Sequence, residues 1–176
     1  MKNRLIAVLA LVLGLLSGLA APAAAAGPAG TYHIRNVQTG LCLDAFYSGG
    51  GGNGNPVGLW DCNGGITEEW LLIRRGNFAY PYQLVNARLP GRCLDYEAAS
   101  GGAPGWRFKL WDCNQSAAQN FFYDGNGRFR VESSIRGGVN NMLMDAYASG
   151  GGGNGNPVGI WPETGSPLQL WSLEQI

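Results

Sequence analysis

The chain has 176 residues, with 12 basic and 12 acidic side chains and one histidine, so its formal charge at neutral pH is zero. That balance offers no electrostatic case for nucleic acid or an anionic membrane surface as a partner. The 29 glycines and 9 prolines stay below the share typical of disorder, and an aromatic content of 11% points to a packed domain with its glycines in turns.

Residues 1–26 read as a secretory signal peptide. MKNR supplies Lys2 and Arg4, LIAVLALVLGLL is an apolar run, and AAPAAAAG ends in a small-residue cleavage region, with Ala26 as the expected last residue. A retained anchor is the weaker reading, because the uninterrupted apolar part is short for a membrane span. The expectation is a secreted, extracellular protein. Its mature chain, 27–176, forms one domain and loses Lys2 and Arg4, which leaves a formal charge of −2. No later segment is apolar and long enough to cross a bilayer, so no membrane contact is expected after cleavage.

Short β-strands follow in order. YHIRNV, CLDAF, VGLWDC and EEWLLI come first, then YQLVN, RCLDY, FKLWDC and QNFFYD, then FRVES, MLMDAY, VGIW and LQLWSL. Each alternates apolar residues over a few positions between Gly, Asn and Pro. One short helical turn is allowed near Glu68 and another near Ser116.

The strands recur. CLD at 42–44 matches CLD at 93–95 and LMD at 143–145, and LWDCN at 59–63 matches LWDCN at 110–114 and IWPET at 160–164. Ten residues after each tryptophan stands a second aromatic: Trp70, Phe121 and Trp171. Three copies, about 30–79, 80–128 and 129–176, fill the mature chain. Four strands in each of three copies predict an all-β fold, a twelve-stranded β-trefoil with a pseudo-threefold axis. A propeller has a similar period, but three blades are too few to close a ring.

The segment SGGGGNGNPVG occurs twice, at 48–58 and 149–159. It carries no phosphate-loop signature. It is expected to be a flexible connection between the second and third strands of copies one and three, with a ligand-contacting loop as the weaker reading.

Cys42 and Cys62 are 20 residues apart, as are Cys93 and Cys113. Equal spacing favours the pairs Cys42–Cys62 and Cys93–Cys113 over the two other connectivities. Copy three has lost both cysteines together, to Leu143 and Glu163, which fits pairing within a copy. A zinc site built from all four is disfavoured by the absence of a C-x-x-C knuckle. No metal or other cofactor is expected.

The triple recurrence of C-L-D, V-x-L-W-D-C and a Q-x-W-type ending resembles the ricin B-type lectin domains. The ending stands here as Glu68-Glu69-Trp70, Gln119-Asn120-Phe121 and Gln169-Leu170-Trp171. The resemblance implies that Asp44, Asp95 and Asp145 accept hydrogen bonds from sugar hydroxyls. It also implies that Trp60, Trp111 and Trp161 stack on the sugar ring. Core packing for these three tryptophans and turn-capping for the three aspartates are the competing readings. Trp70, Phe121 and Trp171 are expected in the core.

The copies depart from the family pattern. Thr67, Ala118 and Leu168 stand where the family often has Asn, and Gly58, Lys109 and Gly159 where it often has Gln. Copy one keeps the fullest polar set, with Asp44, Trp60, Asn63 and Thr67. Copy two keeps Asp95, Trp111 and Asn114, and copy three keeps Asp145 and Trp161 beside Pro162 and Glu163.

The resemblance implies a monomeric carbohydrate-binding module without catalysis, taking neutral glycans of the galactoside or xylan type. A trefoil scaffold that binds proteins or inhibits proteases is the alternative. The single histidine, His33, lies on a predicted strand, which removes most Ser-His-Asp and Cys-His schemes and His-based metal sites. The best-placed acids are repeat copies, which reads as binding rather than glycoside hydrolysis.

Overall fold

The computed structural model describes residues 29–75, 81–96, 103–132, 141–148 and 151–176. The leader and its cleavage site lie outside these residues, as do Ser149 and Gly150 of the second glycine-rich segment. Twelve strands form. Copy one contributes β1 (Gly30–Asn36), β2 (Cys42–Ala45), β3 (Val57–Trp60) and β4 (Glu69–Arg74). Copy two contributes β5 (Tyr82–Asn86), β6 (Arg92–Asp95), β7 (Lys109–Asp112) and β8 (Phe121–Tyr123). Copy three contributes β9 (Phe129–Val131), β10 (Met142–Ala146), β11 (Val158–Pro162) and β12 (Trp171–Gln175). The helical turns expected near Glu68 and Ser116 are 3-10 turns at Ile66–Glu68 and Ala117–Gln119, with a third at Pro167–Gln169.

Six strands pair antiparallel in the order β12, β1, β4, β5, β8, β9. The Trp171 amide donates to the Gly127 carbonyl at 2.8 Å, which brings β12 back beside the start of β9. Outside this barrel stand three hairpins, β2–β3, β6–β7 and β10–β11. Their register sets Asp44 opposite Gly58, Asp95 opposite Lys109 and Asp145 opposite Gly159.

The closing aromatics Trp70, Phe121 and Trp171 are fully buried. The Trp70 indole N–H donates to the Leu43 carbonyl at 2.8 Å, and that of Trp171 to the Met144 carbonyl at 3.1 Å. Each therefore pins its hairpin to the barrel while filling the core. Phe121 packs against Phe108 instead, in the one copy where Tyr96 and Phe108 replace the smaller Ala45/Val57 and Ala146/Val158 pairs. Both expected disulfides are present, each with Cα atoms 5.1 Å apart. In copy three Glu163 takes the place of the second cysteine, and Arg130 and Arg128 reach it at 3.1 and 3.7 Å.

The glycine-rich segments are clasps, which corrects the expectation of a flexible connection. Each hairpin loop hydrogen-bonds the third strand of the next copy around the ring. Gly54 N donates to Leu110 O and Leu110 N to Asn55 O; Gly155 N donates to Leu59 O and Leu59 N to Asn156 O, all at 2.8 Å. The loop of copy two does the same to copy three, through Gly105 N to Ile160 O and Ile160 N to Trp106 O. In the duplicated loops, the first Asn of the N-G-N run holds the aspartate that follows the next copy's tryptophan. Asn53 Nδ2 donates to Asp112 at 2.8 Å and Asn154 Nδ2 to Asp61 at 2.7 Å. Copy three has Pro162 at that position, and the loop facing it lacks N-G-N. The loop sequence recurs where its acceptor recurs.

Close approach explains Gly58 and Gly159. A Cβ at Gly58 would lie 2.4 Å from the Asn156 carbonyl oxygen, and one at Gly159 would lie 2.1 Å from that of Trp106. Gly159→Ala is expected to destabilise by about 1–3 kcal/mol, the usual range for overpacking, because the opposing atom is backbone fixed by the clasp. Chemical denaturation checks this; an unchanged midpoint would mean the clasp moves aside freely.

Candidate functional site

Trp60, Trp111 and Trp161 are each exposed directly after a buried residue of their strand. β3 is buried along its length until Trp60, and the three indoles are 41%, 38% and 42% exposed. That places all three at the surface and removes the core-packing alternative. The aspartates lie beside them at the rim of each hairpin, almost fully buried.

In copy one, Asp44, Trp60, Asn63 and Thr67 come together around a groove of about 520 Å3. Thr67 Oγ1 donates to Asp44 Oδ2 at 2.8 Å, so Thr67 orients the carboxylate and turns a lone pair outward. Asn86, at the end of β5, holds the Thr67 carbonyl at 2.9 Å. The Asn63 side-chain oxygen accepts from Gly65 N at 2.8 Å. Phe46 meets the Trp60 ring edge-on at 5.9 Å and fixes its tilt.

Copy three repeats this arrangement in a larger groove of about 730 Å3. Tyr147 takes the place of Phe46, edge-on to Trp161 at 6.1 Å, with its hydroxyl donating to Ile160 O at 2.6 Å. Gln169 orients Asp145 by a hydrogen bond and donates to the Pro162 carbonyl at 2.8 Å. In copy two, Gln119 Nε2 donates to Asp95 at 2.9 Å, and the Asn114 side-chain oxygen accepts from Ser116 N. The residues that follow β6, where copies one and three place Phe46 and Tyr147, lie partly outside the described residues.

Sequence reasoning missed Phe46 and Tyr147. The signal was an aromatic two residues after the aspartate in copies one and three. It also missed that each groove is shared between copies. Gly155 of copy three lines the groove of copy one, and Gly105 of copy two lines that of copy three. Among the described residues no cluster of His, Cys, Asp or Glu is arranged to hold a metal.

Glu68 stands where the other copies have Gln119 and Gln169. All three are fully buried. The glutamines accept one loop amide at 2.9 Å and donate their own N–H groups to a strand carbonyl. Glu68 has nothing to donate when ionised, and it accepts from Asn63 N at 3.4 Å and Gly64 N at 3.2 Å. Thr67 supplies Asp44 with the donor that a glutamine gives in the other copies. Burial pushes the Glu68 carboxyl above its ordinary value; Asp44 raises it further, while the loop amides and His33 pull it down. Burial also raises Asp44 and Asp145, against the bonds from Thr67 and Gln169.

A carboxyl with a raised native pKa keeps its proton to higher pH than in the unfolded chain. Its folded state therefore loses stability as pH rises from the ordinary value, 4.5 for Glu68, through the native value. Glu68→Gln removes that loss. The variant is expected to match the wild type near pH 4 and to exceed it at pH 7, by about 1–3 kcal/mol, the scale of one buried unsatisfied group. Melting curves across that range check it. Parallel curves, or a less stable variant at pH 7, would refute the role given to Glu68.

A family profile described as "Ricin-type beta-trefoil lectin domain" matches residues 30–171. The chain belongs to this family. The match spans the first eleven strands and reaches the first residue of β12, so the grooves of copies one and three fall inside the lectin domain. Solved structures agree on the fold. A designed threefold-symmetric protein, ThreeFoil, superposes with a TM-score of 0.70 at 22% identity, covering 84% of this chain and 99% of that one. The Macrolepiota procera ricin B-like lectin, solved in complex with lactose, gives 0.62 at 20% identity, with 86% and 99% covered. An exo-beta-1,3-galactanase from Clostridium thermocellum gives 0.66 at 21% identity, and the match covers 84% of this chain but 30% of the enzyme. No curated protein matches this chain.

Proposed function

We propose that this lectin domain is a secreted, monomeric glycan-binding module without catalysis, and that the grooves of copies one and three are its binding sites. The observation that carries the reading is the pairing of a buried, oriented carboxylate with an exposed, edge-braced indole, found twice under the pseudo-threefold axis. A carboxylate takes charge-assisted hydrogen bonds from sugar hydroxyls, and a flat indole covers the apolar C–H face of a pyranose. Among the described residues no cationic side chain lines the copy-one groove, which suits neutral sugars; galactosides and xylans are the first to test. Grooves this open bind weakly one at a time, and two on one domain raise retention on a polymer by avidity.

The test is a glycan array read beside pull-down on insoluble polysaccharides. Binding to β-galactosides or xylans, with no sugar released on long incubation, is the expected result. An array and pull-down blank at millimolar sugar would instead favour a trefoil scaffold that binds proteins.

A further inference from the structure

The two grooves differ in charge. Arg107 lines the copy-three groove with Asp145, Tyr147 and Trp161. At the matching positions of copies one and three stand Pro56 and Pro157. Arg107 comes from copy two, in the loop that clasps copy three. Its neighbour Trp106 accepts from Ile160 N at 2.9 Å, and Arg107 itself bridges to Gly159. The backbone that carries the guanidinium is therefore fixed against Gly159 of β11, the residue opposite Asp145 in the hairpin register.

The charge of the guanidinium is felt by the Tyr147 hydroxyl of the same groove. Arg107 is exposed and makes no hydrogen bond or ion pair with the described residues, Asp145 included, although both line one groove. A cation, an oriented carboxylate and an exposed indole thus line one groove. The carboxylate, an acceptor, suits sugar hydroxyls. The guanidinium, a planar and always charged donor, suits a carboxylate, which it can hold by two parallel N–H bonds.

We infer that the copy-three groove binds acidic glycans, sugars bearing a carboxylate, with hydroxyls on Asp145, the ring on Trp161 and the carboxylate on Arg107. The inference rests on the lectin reading above. It divides the domain into a neutral site in copy one and an acidic site in copy three.

The test uses matched pairs: lactose with 3′-sialyllactose, and xylotriose with its glucuronosyl derivative. Binding is read at the Trp60 and Trp161 indole N–H resonances of the intact protein. At Trp161 the acidic member of at least one pair should bind about tenfold more tightly than its neutral partner, the scale of one charge-assisted hydrogen bond. Trp60 should show no such preference. Arg107→Gln should bring the Trp161 ratio to near one and leave Trp60 unchanged, and high salt should shrink it, because an exposed pair is screened. Ratios near one for both pairs, or a ratio that survives Arg107→Gln, would overturn the inference while the lectin reading stands. Silence at both indoles with all four sugars would overturn both.

Discussion

Trp171→Ala is expected, with Trp70→Ala, to be among the most damaging single changes in the lectin domain, lowering stability by about 3–5 kcal/mol. The indole is fully buried in the core cluster. Its removal opens a cavity between β12 and β10, and it also strips the Met144 carbonyl of its donor. That carbonyl precedes Asp145, so the loss reaches the copy-three groove. Phe121→Ala should also lie in the range for deleting a large buried aromatic, but toward its lower end. The phenyl ring of Phe121 has no N–H, so no carbonyl loses a side-chain donor when it goes. Equilibrium denaturation of both variants ranks them. Equal losses would mean that cavity formation dominates and the indole bond contributes little.

Removing the Cys42–Cys62 link as Cys42→Ala/Cys62→Ala is expected to cost about 3 kcal/mol, the chain-entropy value for a loop of this size. The link has a functional side as well. Cys42 pairs directly with Trp60 across the β2–β3 hairpin, and Cys62 is followed by Asn63. The bridge therefore ties down the end of β3 that carries the copy-one platform. Copy three shows what replaces it. There Leu143 pairs with Trp161, and the exposed Glu163–Arg130 pair holds the strand end. Exposed pairs of that kind contribute at most about 1 kcal/mol. Denaturation of the double variant, with titration at Trp60 and Trp161, should show lost stability with weakened binding at copy one and unchanged binding at copy three. Equal weakening at both would mean that the link acts on the whole fold.

The repeat made much of this legible. Trp70, Phe121 and Trp171 return at one phase of the pattern, and a residue that recurs at the closing strand of every copy reads as core. The cysteine pairs were legible because copy three loses both partners together. Trp60, Trp111 and Trp161 recur just as faithfully, yet their direction was not legible. Alternation fails on these hairpins: β10 is buried at all five positions and β3 at its first three. The clasping loop of the preceding copy covers the face that would otherwise be wet, so period two carries no information there.

The clasps themselves were illegible for a related reason. Asn53 and Asp112, or Asn154 and Asp61, are far apart in the chain and meet only around the pseudo-threefold axis. Local propensity reads G-G-G-G-N-G-N as flexible and says nothing about a partner on the next copy. Glu68 is a third case. The departure from Gln was visible in the sequence, but that Thr67 supplies the missing donor to Asp44 required the 2.8 Å contact.

Trp60→Ala/Trp161→Ala in one protein tests most directly the proposal that glycans bind on the exposed indoles of copies one and three, with retention on galactoside and xylan matrices measured beside the melting temperature. Both rings stand at the surface, so retention is expected to be lost while the melting temperature stays close to that of the wild type. Undiminished retention at an unchanged melting temperature would contradict it.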